Sequence, residues 1–159
     1  MSLWSRLGRI LVGGEEPEPE EILPRLRRLY AATVERQRSM LRHAELAPNE
    51  ASREGLTKLA EEEKELAERL RELVARHGGF AGDVPAGEPP PPGLNHWSRL
   101  VQDLEAHRSA VKELLDHAAD LTDDEPELAE ALRELARREE IHVFLLRRLV
   151  ARADPQAID

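Results

Sequence analysis

Between residues 54 and 76, Leu56, Leu59, Glu63, Leu66, Leu70 and Leu73 follow one another in alternating steps of three and four. That spacing turns one side of an α-helix in a single direction, and only Glu63 interrupts its apolar character. The stripe returns 76 residues later as Leu132, Leu135, Glu139, His142, Leu146 and Leu149, and the run Leu73-Val74-Ala75-Arg76 matches Leu149-Val150-Ala151-Arg152. Two copies at a fixed offset are an internal repeat. They differ chemically where Leu66 faces His142.

Each copy is the second half of a helical hairpin. A first helix over 21–45 turns Leu23, Leu26, Leu29, Tyr30, Thr33, Gln37, Met40, Leu41 and Ala44 inward. A third over 95–120 presents Trp97, Leu100, Val101, Leu104, Arg108, Val111, Leu115 and Ala118. These two correspond at an offset of 74 through Leu26/Leu100, Tyr30/Leu104, Leu41/Leu115, His43/His117 and Ala44/Ala118. The second helix is expected over 49–77, with Asn49 as its cap and Gly78-Gly79 as its stop, and the fourth over 124–153, with Pro126 in its first turn and 154–159 as a tail.

Residues 78–94 form the one long connection, stiffened by four consecutive prolines. The second helix, at ~1.5 Å per residue, is roughly 40 Å long. An extended connection at ~3.1 Å per residue spans about 50 Å. It can run the length of a bundle and start the third helix beside the start of the second. At the other end of the chain, residues 2–12 place Leu3, Trp4, Leu7, Ile10 and Leu11 on one side of a short amphipathic helix, and the acidic, proline-bearing linker that follows completes a separate segment over 1–20. This segment reads as a docking helix for a partner protein in preference to a membrane surface, because two arginines beside an acidic linker attract anionic lipid weakly.

Composition narrows the class. With 159 residues the chain makes one domain, and with five aromatic residues and a surplus of Leu, Ala, Glu and Arg it is all-α. A formal charge of −9 argues against nucleic acid as a partner. The absence of cysteine excludes disulfides, thiolate nucleophiles and cysteine-ligated metals. No apolar run approaches the roughly 20 residues of a membrane span, and the expected location is the cytoplasm.

The order hairpin, long crossover, hairpin, with Glu63 on one inner stripe and Glu139-x-x-His142 on the other, resembles the ferritin-like superfamily of rubrerythrins and bacterioferritins over roughly residues 21–153. The resemblance implies a four-helix bundle whose metal ligands are a Glu from each of the first and third helices and a Glu-x-x-His from each of the second and fourth. Carried over, Glu139 and His142 match in full, and Glu63 is kept without its histidine. The first helix offers no carboxylate, since Ala31 stands level with Glu63 and Glu35 faces outward. Glu105 is at the matching height on the third.

Two readings follow. In one, Glu63, Glu105, Glu139 and His142 bind a single iron or manganese ion, an oxygen-rich set with one imidazole. In the other, which the missing ligands favour, the inward Arg108 bridges Glu63 and Glu139 in a buried polar cluster with no cofactor. The protein is then a non-catalytic interaction or scaffold module with a degenerate di-iron site, working as a homodimer. His43, His77, His96, His107 and His117 lack the spacing for another iron site, and His43 and His117 are expected to cap helix C-termini.

Overall fold

A computed structural model describes residues 21–157 of the chain. Four helices account for about three quarters of the described residues: α1 (Ile22–Glu45), α2 (Glu50–Arg76), α3 (His96–Leu121) and α4 (Pro126–Arg152). The amphipathic segment expected over 2–12, with its docking residues Leu3, Trp4, Leu7, Ile10 and Leu11, lies outside the described residues.

Local chemistry sets the helix ends. The Asn49 side chain accepts a hydrogen bond from the Ser52 amide at 2.9 Å and opens α2. Asn95 and Ser98 form a reciprocal capping box at the start of α3. Pro126, which has no amide hydrogen to satisfy, occupies the first turn of α4. Gly78, at φ 77°, turns the chain out of α2 while the Gly79 amide reaches back to the Val74 carbonyl at 3.0 Å. The left-handed conformation there favours glycine.

α1 packs against α2 and α3 against α4 as two hairpins, and these face each other through α1 with α3 and α2 with α4. The connection between them runs up the outside of α1. Arg27 donates to the Phe80 carbonyl at 2.9 Å, and Arg38, three turns further along α1, donates to the Val84 carbonyl at 2.8 Å. At the far end Arg99, in the first turn of α3, donates to the Leu46 carbonyl in the α1–α2 turn at 3.1 Å. The crossover therefore spans the bundle and starts α3 beside the start of α2.

The interior has two apolar layers. One, at the α1 N-terminal end, gathers Leu26, Leu29, Leu66, Leu70, Leu114, Leu132 and their neighbours. The other, at the opposite end, gathers Met40, Leu56, Leu59, Leu100, Leu104 and Leu146. Between them all four helices turn polar side chains inward.

The buried face of α3 differs from the expected one by about one residue of rotation. Leu115 is 43 % exposed, whereas His96, Arg99, Asp103, His107, Ala110 and Leu114 are buried. Four of the ten buried residues on that face are polar, so apolar periodicity alone selects the neighbouring stripe. Leu41 of α1, also expected inside, is 40 % exposed.

Candidate metal centre

Glu63 of α2, His107 of α3, and Glu139 and His142 of α4 meet between the two apolar layers. Glu63 and His107 are fully buried, and Glu139 and His142 are each 1 % exposed, so their charges are held out of water. Ordinary heptad logic brings them there. Leu100, His107, Leu114 and Leu121 stand seven apart on α3, so His107 is carried inward by its own stripe. Glu139 and His142, three apart on α4, share one face.

The two imidazoles present the same atom to the carboxylates. His107 Nδ1 lies 2.7 Å from Glu139 Oε2 and 3.5 Å from Glu63 Oε1. His142 Nδ1 lies 3.1 Å from Glu63 Oε1 and 3.6 Å from Glu139 Oε2. Four ligands about 2.1 Å from a transition-metal ion in a tetrahedral arrangement stand about 3.4 Å from one another. Three of the four nitrogen–oxygen spacings lie near that edge, the fourth is a hydrogen bond that must open by about 0.7 Å, and the donor atoms of the four residues all lie within 4.8 Å of one another. The donors present therefore fit a single ion held by Glu63, His107, Glu139 and His142.

The far side of His142 is also held. Its Nε2 lies 3.0 Å from Glu62 Oε2, a carboxylate that fixes the ring's orientation and leaves Nδ1 free to face the cluster. Metal-binding histidines characteristically have such a partner on the distal nitrogen. His107 Nε2 has no hydrogen-bond partner among the described residues.

Arg36 of α1 closes the opposite side. Its terminal nitrogen donates to Glu139 Oε1 at 2.7 Å, and its Nε lies 3.4 Å from Glu63 Oε2. The same terminal nitrogen donates to the Thr33 hydroxyl at 2.9 Å, and Thr33 donates in turn to the Leu29 carbonyl. Each carboxylate thus gives one oxygen to the imidazoles and the other to the guanidinium.

This environment separates the titrations of the two carboxyls. Burial pushes Glu63 up, aided by the neighbouring charge of Glu139, with His142 and Arg36 opposing. Burial presses Glu139 the same way, but the hydrogen bonds of His107 and His142 and the charge of Arg36 together outweigh it and hold this carboxyl well below the usual range. For His142, burial disfavours the charged ring, yet Glu139 and Glu63 beside it win and raise it to about 9.

Three of the residues expected from sequence, Glu63, Glu139 and His142, stand in the cluster, and two do not. Glu105 and Arg108 lie on the outer surface of α3, 61 % and 50 % exposed, and pair with each other at 3.0 Å. With His107 turned inward, Arg108 is rotated about 100° away from the core. Arg36 bridges Glu63 and Glu139 in the way expected of Arg108. It was legible in principle, since Leu29, Arg36 and His43 stand seven apart on the inner side of α1. Glu62 carried no such signal, because it sits in the middle of the run Glu61-Glu62-Glu63.

His43 does not cap a helix end. It is buried against α3, with Nδ1 2.7 Å from Asp103 Oδ2, and Ser39 donates to the other carboxylate oxygen at 3.3 Å. His117 lies 3.6 Å from Glu113 of its own helix. His77 does meet the end of its helix, with Nδ1 2.8 Å from the Leu73 carbonyl.

No family model and none of the curated proteins matches the chain. Solved structures do. Dps from Thermosynechococcus elongatus superposes with a TM-score of 0.72 at 16 % identity, over 85 % of this chain and 93 % of that one. The dodecameric thioferritin of Bacteroides fragilis, a bacterioferritin-related protein, gives 0.66 at 17 % identity, over 82 % of this chain and 86 % of that one. At such identities the likeness is one of fold, and the fold of this chain is the ferritin-like four-helix bundle.

Proposed function

We propose that the protein is an iron- or manganese-binding member of the ferritin-like fold, with one ion held by Glu63, His107, Glu139 and His142. The observation that carries this reading is the spacing of four buried donor atoms near tetrahedral edges, with Glu62 braced behind His142. Two imidazoles with two carboxylates suit iron or manganese, and the ion supplies Lewis acidity or one-electron chemistry that the side chains lack. The name of the Bacteroides neighbour, a bacterioferritin-related thioferritin, agrees with it.

Metal analysis of protein purified from iron- and manganese-supplemented culture tests the reading. About one ion per chain is expected, lost in Glu139→Ala. Zinc in place of iron or manganese removes the choice of metal while leaving the centre. No metal overturns the reading and favours the second one, a metal-free scaffold, for which the observation is Arg36, a fixed cation already compensating both carboxylates.

Self-association is part of the proposal. Ile141 and Phe144 are 56 % and 58 % exposed on the outer face of α4, and the Bacteroides neighbour is dodecameric. Light scattering that finds only monomer rejects it.

A further inference from the structure

We infer that the Arg36 guanidinium stands where a symmetric centre would hold a second metal ion, so that this centre takes one ion and one built-in cation beneath a shared pair of carboxylates. The inference rests on the metal-binding reading and says how many ions the site admits and why.

The internal duplication supplies the frame. Glu63 of α2 corresponds to Glu139 of α4, Leu66 to His142, and, at the offset of the other helix pair, Thr33 of α1 to His107 of α3. On the α3–α4 side, two imidazole nitrogens face Glu63 Oε1 and Glu139 Oε2. On the α1–α2 side the equivalent places hold Leu66, which has no donor atom, and Thr33, whose hydroxyl is engaged with Leu29 and Arg36. Arg36 fills this side, reaching Glu139 Oε1 at 2.7 Å and Glu63 Oε2 at 3.4 Å. The counterpart of Arg36 is Ala110, buried and too short to bring any charge to the histidine side.

Each carboxylate therefore bridges two positive positions, one lined by imidazoles and one occupied by a side chain. A guanidinium does not deprotonate under ordinary conditions. A second divalent ion is kept out by repulsion from the guanidinium and by the lack of ligands on that side.

The test copies one half of the centre onto the other in the full-length chain. Thr33→His/Arg36→Ala/Leu66→His carries the α3–α4 set on both sides, and Thr33→His/Leu66→His adds the same imidazoles while keeping the guanidinium. Chelator-treated proteins are loaded with Mn2+, desalted and analysed for metal, with helical content followed by circular dichroism and coupling between manganese ions read by electron paramagnetic resonance. One ion in the wild type, one in the double variant and two coupled ions in the triple variant are expected.

Where the wild type and the double variant each hold one ion, a folded triple variant that also holds one overturns the role of Arg36, as does a double variant or wild type with two. No ion in the wild type or double variant but one or two in the triple variant overturns the proposed function and retains the exclusion by Arg36. No ion in any of the three overturns both. Should the triple variant fail to fold, Arg36→Gln decides: at least tenfold tighter Mn2+ binding is expected, and unchanged or weaker binding overturns the inference.

Discussion

His107 Nδ1 lies 2.7 Å from Glu139 Oε2, a contact between α3 and α4 with neither residue open to solvent. Removing His107 takes the hydrogen bond from one oxygen of the buried Glu139 carboxylate, which keeps Arg36 on the other, at a cost of about 3 kcal/mol. In a chain of this size that corresponds to a melting temperature lower by roughly 10 °C. His107→Ala is expected to show that drop by thermal circular dichroism and to lose metal binding. An unchanged melting temperature would mean that this hydrogen bond is not formed.

Glu62 is the partner of His142 on the side away from the cluster. Glu62→Gln keeps the shape and removes the charge, so the fold is expected to survive while affinity for Mn2+ falls about 10- to 100-fold. Competition against a chelator measures it. Equal affinity in the two proteins rejects the bracing role.

The metal-free protein should lose stability toward alkaline pH. The imidazole of His142 is raised from an ordinary 6.5 to about 9 in the fold. A raised value means that the folded state holds the proton more tightly than the unfolded chain does. The contribution is then complete below about pH 6.5 and disappears as pH rises through about 9. His142→Gln should flatten melting temperature against pH across that window in chelator-treated samples. On the acid side, Glu139 is held below its usual value, and its contribution is lost as pH falls through that depressed range.

Leu132 is fully buried in the apolar layer at the α1 N-terminal end, away from the centre. Leu132→Ala is expected to cost about 2–5 kcal/mol through the cavity it leaves. Metal content per folded chain should not change. A loss of metal with the fold intact would tie this layer to the centre.

Glu105 and Arg108 make an exposed pair one turn apart. Glu105→Gln and Arg108→Ala should each move stability by less than about 0.5 kcal/mol, with metal binding as in the wild type. A large effect on either reading would return them to the interior.

Much was legible in the chain itself. The three-and-four spacing of leucines, the two duplicated hairpins and the proline-rich crossover determine a ferritin-like bundle, because helix periodicity and connection length leave few other ways to bury those stripes. Glu63, Glu139 and His142 were legible because each interrupts an apolar stripe. The rotation of α3 was decided only in three dimensions. Both of its candidate faces carry apolar residues, and the buried one has four polar residues among ten, with their cost offset by partners on other helices: Asp103 with His43, and His107 with Glu139. That rotation exchanged Glu105 and Arg108 for His107 and left Arg36 as the bridging cation. Periodicity along one helix says which residues share a face. Which face is turned inward depends on charges supplied from helices tens of residues away, and only packing brings those together.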